Sequence, residues 1–194
     1  GYVGTPAAAV LADLGHDVVT VDIDEDIVAS INAGEAPIPE PGLDELVAAY
    51  GGDHLTASTE YDVVADTDVI FLVLPTPSRE DGSIDLGAME TAAGQVGEAI
   101  ADAPDGHTIV VKSTVVPGTT EERVVPAIEG ASGKTAGEDF DVAMNPEFQR
   151  EGTAVADFQE PDKLVFGTGA GESGERALAA LHGVYDPLLE RPDA

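Results

Sequence analysis

Residues 1–24 read GYVGTPAAAVLADLGHDVVTVDID, and the order of residue types in this stretch decides the fold. Val3, Ala7, Val10, Leu11 and Leu14 recur on one helical face. Gly15 stops that helix, and DVVTV at 17–21 reads as a short buried strand with the acid Asp22 at its close. A G-x-x-G pair, Gly1 and Gly4, stands at the head of the helix. Dinucleotide-binding folds end a first strand in G-x-G-x-x-G, start the helix inside that motif and put an acid near the end of the second strand. Gly1 and Gly4 fit the second and third glycine positions. Alone, such a pair is equally a helix-start glycine pair; helix, strand and acid in register carry the dinucleotide reading.

Each residue type has a physical reason. Gly1 lets the backbone approach a pyrophosphate, and Gly4 lets the helix pack closely on its strand. The helix N-terminus offers N–H donors and a partial positive charge. Asp22 suits ribose hydroxyls and repels a 2′-phosphate, so NAD is favoured over NADP. The reading places a first strand and a first glycine ahead of residue 1, so the chain is expected to be a fragment.

Outward from this stretch, helix and strand patterns alternate. A second helical stretch covers about Asp24 to Asn32, and the Pro-rich GEAPIPEPGLDEL leads into a helix near Leu43–Tyr50. LTAST (55–59) reads as a strand, and the apolar run VIFLVL (69–74) suits a parallel strand covered on both faces. Residues 86–102 form the clearest helix, with Met89, Ala92, Ala93, Val96 and Ile100 on one face. HTIVVK (107–112), FDVAM (140–144) and KLVFG (163–167) read as strands. GTTEERVVPAIE reads as a helix with a kink or break at Pro126, and GESGERALAALHGVY opens a last helix. No repeat or low-complexity tract interrupts the alternation. It predicts an α/β fold with a doubly wound, mostly parallel sheet and helices on both faces.

Charge is the extreme property. Asp and Glu number 38 against 8 Lys and Arg, a formal net charge of -30. The acids are dispersed rather than gathered in a tail, so they read as a solvated surface suited to a salt-rich cytoplasm; metal buffering or binding of a basic partner is the alternative. Eight scattered cations make no phosphate-binding stripe, which argues against nucleic acid. No apolar run reaches the ~18 residues of a membrane span. The absence of cysteine removes disulfides, thiolate metal sites and thiol nucleophiles within these residues. His16, His54, His107 and His182 lie at no metal-ligand spacing, and no metal is expected.

Six ordered motifs, GYVG, VDID, EPGLDEL, PTPSREDGSIDL, KSTVVPGTT and NPEFQREGTAVADF, resemble the UDP-glucose/GDP-mannose dehydrogenases, and the resemblance is greatest to the archaeal UDP-glucose type. The match runs from Gly1 to about Gly167. It implies a Rossmann-like NAD-binding domain over residues 1–194, with the central helix and C-terminal substrate domain outside this chain. Members oxidise a nucleotide-sugar 6-alcohol to the 6-carboxylate in two NAD-dependent steps, through a thiohemiacetal and a thioester on a cysteine. By resemblance, Gly1, Tyr2, Val3 and Gly4 form the pyrophosphate loop and Asp22 is the ribose acid. Thr76 and Ser78 contact the cofactor, and Thr114 touches NAD and positions the hydrolytic water. Glu147 activates that water, Glu151 lies near the nicotinamide, and the stretch Phe148, Gln149, Arg150 and Glu151 lines the sugar nucleotide. The resemblance also implies a homodimer or larger assembly and a role in activated glucuronate or polysaccharide synthesis.

The residues agree on location, because Thr76, Thr114 and Glu147 each follow a predicted strand's carboxyl end. Singly, Thr114 also reads as a turn hydroxyl, TPS as a loop and Glu147 as a first-turn helix acid. Two departures stand out. Gln149 replaces the leucine of NPEFLREG, and the family's nucleophilic Cys, with its Lys and Asn, is expected beyond residue 194. UDP-glucose is the expected substrate, with GDP-mannose or UDP-N-acetylmannosamine as the alternative. A non-catalytic NAD-sensing module would explain GYVG but gives no role to KSTVVPGTT or NPEFQREG.

At 1 M salt the Debye length falls to about 3 Å, which screens the self-repulsion of a highly charged surface. The thermal midpoint should therefore rise steeply from dilute buffer to molar KCl. A flat midpoint would mean that the acids are locally compensated.

Overall fold

The computed structural model describes residues 1–190. In chain order the elements are α1 (Gly4–Asp13), β1 (Val18–Val21), α2 (Glu25–Asn32), α3 (Leu43–Tyr50) and β2 (Leu55–Ser58). A 3-10 turn (Tyr61–Asp66), β3 (Val69–Leu72), α4 (Gly87–Ile100), β4 (His107–Val111) and a π-helical turn (Thr120–Val124) follow. The remainder is α5 (Val125–Ser132), β5 (Phe140–Met144), α6 (Ala154–Gln159), β6 (Gly167–Thr168) and α7 (Glu172–Leu189). Two compact units result: Gly1–Glu60 with Phe148–Leu164 and residues 182–190, and Tyr61–Glu147 with Val165–Leu181.

In the first unit β1 and β2 pair in parallel, with Val18 opposite Leu55 and Val21 opposite Ser58. Helix α1 is buried from Thr5 to Ala12 and packs against α3 and α6. Its run of small residues, TPAAAV, allows that close approach on every side. Helix α2 starts with Asp24 as N-cap, whose carboxylate accepts from Asp26 N at 3.0 Å.

In the second unit β3, β4 and β5 form a parallel ladder in that order, and β6 adds antiparallel to β5. All five residues of β4 are buried, so this central strand is covered on both faces, as parallel strands generally are. The VIFLVL run differs from its expectation. The strand ends at Leu72, because the Ser113 hydroxyl takes both backbone groups of Leu74, accepting from its N–H at 2.8 Å and donating to its carbonyl at 2.7 Å.

KLVFG also differs. Only Gly167 and Thr168 join the sheet, and the Asn145 side chain donates to the Val165 carbonyl at 3.0 Å, which takes that group out of any ladder. The break expected at Pro126 occurs as a change of helix type. Val125 N–H donates to Thr120 O, five residues back, and Pro126 then sits in the first turn of α5, where its missing N–H costs nothing. The six-residue α6 and the 3-10 turn leave no mark in the sequence pattern, since each is too short to show a period. No helix among the described residues is long and apolar enough to cross a membrane.

Helices α4 and α5 meet at Gly97. A Cβ there would lie 2.7 Å from Ile128 O and 2.9 Å from Ala131 Cβ, whereas a Cβ at Gly94, one turn earlier, meets nothing within 4 Å. Helix propensity alone favours Ala over Gly by about 1 kcal/mol at either position. Gly94→Ala should therefore stabilise by roughly 0.5–1 kcal/mol, and Gly97→Ala should destabilise by about 1–3 kcal/mol through overpacking. Denaturant midpoints of the pair in high salt test this opposition of sign.

Candidate functional site

In the first unit the candidate residues gather at the start of α1 and the carboxyl end of β1. The intrahelical ladder begins with Thr5 N–H donating to Gly1 O at 3.1 Å, so the N–H groups of Tyr2, Val3 and Gly4 precede it. No side chain caps this helix, and its first turn carries no acid, although the chain has 38. A Cβ on Gly1 would meet nothing within 4 Å. An anion thus has open backbone, free donors and the positive end of a dipole.

Asp22 faces this loop, with Oδ2 3.7 Å from Gly1 N, while its Oδ1 accepts from Asp24 N at 3.1 Å. Asp24 is committed to capping α2, which leaves Asp22 as the acid turned toward the glycine loop. Next to it Ile23 is 89% exposed. An aliphatic side chain held in water beside a ribose-type acid suits the flat apolar face of a ligand. Sequence reading missed Ile23 because only solvent exposure distinguishes it from a core isoleucine.

The 148–154 stretch belongs to the same unit. Arg150 is committed rather than free: its Nη2 donates to Asp157 Oδ1 at 2.6 Å, and its backbone N and Nε donate to Oδ2 at 2.8 and 3.2 Å. The hydrogen bond from Arg150 holds the Asp157 carboxyl well below the usual carboxylate range. Thr153 Oγ1 donates to the same carboxylate at 2.9 Å. Gln149 Nε2 donates to Ala154 O at 3.1 Å, so this amide binds the start of α6. Phe148 is 48% exposed, and Lys163 Nζ lies 4.2 Å from its ring centroid. Glu151 is exposed.

In the second unit Thr76, Thr114 and Glu147 follow β3, β4 and β5, three neighbouring parallel strands, and so share one sheet edge. Thr76 Oγ1 donates to Thr114 O at 3.0 Å, and the Ser113 clasp on Leu74 ties the same two strand ends. Ser78 lies in a small hairpin, bridged to Ile84 and closed by an Arg79–Asp85 ion pair at 3.1 Å. Glu147 is half-buried, and its N–H donates to Lys112 O at 3.2 Å.

Lys112 and Asn145 lie beneath this edge. Lys112 is 4% exposed and Asn145 fully buried, and Lys112 Nζ donates to Asn145 Oδ1 at 3.1 Å. Both stand inside quoted motifs, KSTV and NPEF, but their joint burial shows only when β4 and β5 pair. Burial pushes the Lys112 ammonium down from 10.5 to about 8, and the negative Glu147 carboxylate opposes that shift.

A pH prediction follows from Lys112. The folded protein gives up this proton near 8 while the unfolded chain keeps it until 10.5. The burdened ammonium lowers stability below pH 8, and stability rises as pH climbs through that window, by at most about 1.4 kcal/mol per pH unit. Unfolding midpoints at pH 8 to 10 should rise in the parent relative to Lys112→Met. Parallel curves would show that the ammonium carries no such penalty.

The whole chain also has known counterparts. A sequence model described as the NAD binding domain of the UDP-glucose/GDP-mannose dehydrogenase family matches residues 1–189. A UDP-glucose 6-dehydrogenase of Haloferax volcanii, AglM, is 60% identical over 191 residues, covering 98% of this chain and 44% of that protein. Among solved structures, a ternary complex of GDP-mannose dehydrogenase from Pseudomonas aeruginosa aligns with TM-score 0.89 at 41% identity, covering 96% of this chain and 42% of that one. A UDP-glucose dehydrogenase from Pyrobaculum islandicum aligns with TM-score 0.87 at 43% identity, over 96% and 42% of the respective chains. The chain therefore spans less than half the length of these relatives. With its glycine loop, facing acid and parallel-strand edges, it belongs to the UDP-glucose/GDP-mannose dehydrogenase family, as the NAD-binding domain.

Proposed function

We propose that the chain is the cofactor-binding part of a cytoplasmic enzyme that oxidises UDP-glucose to UDP-glucuronate in two NAD-dependent steps. The observation that carries this reading is the shared edge at which Thr76, Thr114 and Glu147 follow three adjacent parallel strands. When bound, NAD would supply the hydride acceptor. The chain's own residues hold it: the N–H groups at Tyr2, Val3 and Gly4 receive the pyrophosphate, Asp22 the adenosine ribose, and Ile23 the adenine face. Thr76 and Ser78 would contact the cofactor, and Glu151 would serve near its nicotinamide. The backbone of Phe148, Gln149, Arg150 and Glu151 lines the sugar nucleotide. Arg150 contributes through its backbone, since Asp157 occupies its guanidinium.

Thr114 orients the hydrolytic water and Glu147 takes its proton. A hydroxyl with ordinary acidity does not readily accept that proton, whereas a carboxylate does. Covalent capture of the substrate falls to residues outside this chain, and the full-length protein works as a homodimer or larger assembly that feeds glycan or polysaccharide synthesis. The 60% identity to AglM over 98% of the chain favours UDP-glucose. GDP-mannose remains the second reading, because the fold aligns as well with a GDP-mannose dehydrogenase, at TM-score 0.89, as with a UDP-glucose dehydrogenase, at 0.87.

The test uses the full-length enzyme in molar KCl with UDP-glucose, GDP-mannose and UDP-N-acetylmannosamine side by side. NADH should form fastest with UDP-glucose, and failure with all three would end the dehydrogenase reading. Positioned general bases contribute about 10²–10⁴ in rate, so Glu147→Gln should oxidise substrate in a burst and then stall by that factor, with a protein adduct visible by mass spectrometry. Near-parental turnover would move the hydrolytic base to another residue.

A further inference from the structure

The motif EPGLDEL at 40–46 has no part in the function proposed above, yet it builds a specific contact. Pro41 and Gly42 are the central residues of a turn closed by Leu43 N–H donating to Glu40 O at 3.0 Å. Gly42 has φ +81° and ψ -8°, the third-position geometry of a type II turn, for which Pro before Gly is the favoured pair. The turn is therefore dictated locally, and it presents the Glu40 side chain.

That side chain is 5% exposed. A carboxylate so deep is costly unless its oxygens find donors. Both do: Oε2 accepts from Gly152 N at 2.9 Å and Oε1 from Ala154 N at 2.7 Å. Glu40 thus grips the turn that joins the 148–151 stretch to α6. Gly42 also lies beside α6, where a Cβ would meet Val155 Cγ1 at an ordinary contact distance of 3.4 Å; glycine is favoured here by its φ of +81° rather than by the approach of α6. From within, Asp157 closes the same turn on Arg150 and Thr153. From outside the turn, Glu40 accepts from the Gly152 and Ala154 amides.

We propose that Glu40 is a positioning residue for the nucleotide-sugar site, its buried carboxylate holding the 152–154 turn so that the backbone of residues 148–151 is set for substrate before binding. The inference rests on the reading that 148–151 lines the sugar nucleotide. Glutamine is the informative replacement. It keeps the shape but has one acceptor oxygen, and its NH2 turns donor against donor at the second amide.

The experiment compares parent and Glu40→Gln full-length enzyme in molar KCl. Amide hydrogen exchange, measured with NAD alone, should speed up about tenfold at Gly152 and Ala154, because charge-assisted backbone bonds are lost. KM for UDP-glucose should rise about tenfold or more, since misplacing a binding segment by a fraction of an ångström is costly. The Kd for NAD should stay within about twofold. A purely structural role would weaken both ligands together and lower the thermal midpoint without that split.

Unchanged exchange at the two amides overturns the clamp. Faster exchange with unchanged KM for the nucleotide sugar overturns the positioning role. If the parent oxidises none of the three nucleotide sugars, the proposed function has failed, which is a different result from either. Should Glu40→Gln not fold, Glu40→Asp, with its charge kept but its reach one methylene short, supplies the same readouts with the same expected directions.

Discussion

Parallel strands cannot be joined by a tight turn, so each must be followed by a crossover long enough to carry the chain back to the sheet's starting edge. In this chain β1 pairs with β2, and β3, β4 and β5 pair with one another, all in parallel. Every crossover therefore leaves from a carboxyl end, and each departure is a loop free to carry chemistry. Asp22, Thr76 and Thr114 sit at three such departures, and Glu147 follows β5 at the same edge of its sheet as Thr76 and Thr114. The sheet supplies stiffness, and the residues just past its ends inherit it.

Within each unit those loops are tied down by side chains, most of which are not themselves candidates for chemistry. Ser113 clasps Leu74, Thr76 reaches the Thr114 carbonyl, and Lys112 joins Asn145, which in turn holds Val165 O. In the other unit Asp157 closes the Arg150 turn and Glu40 grips its amides from outside. The buried members of this set, Lys112 to Asn145 and Ala154 N–H to Glu40, hold because leaving either partner unmatched in a low-dielectric interior is costly. Loops held this way lose little entropy when a ligand arrives.

The acidic excess shapes the interior as well as the surface. Arg79, Arg123, Lys134, Arg150 and Arg176 each meet a carboxylate. Among the described residues two carboxylates are buried, and they are satisfied differently. Asp141 receives Arg176 and the Ser173 hydroxyl, whereas Glu40 receives backbone N–H groups only. With cations scarce, backbone amides serve as counter-charges inside the fold. They are also donors whose position reports directly on the loop that carries them.

Wherever the deciding physics is local, it was legible in the sequence. The stripe Val3–Ala7–Val10–Leu11–Leu14 became α1, FDVAM became β5, and Asp22 stands at the end of β1, because helix periodicity and strand-ending residues act within one or two turns of chain. The Pro41-Gly42 turn is of the same kind. Tertiary structure decided everything that needs two distant segments. VIFLVL carries no sign that Ser113 ends its strand at Leu72, nor KLVFG that Asn145 takes Val165 O. Glu40 looks like one more surface acid until residues 152–154 close over it. A hydrogen bond depends on where two groups meet in space, and a single pass along the chain sees only one of them at a time.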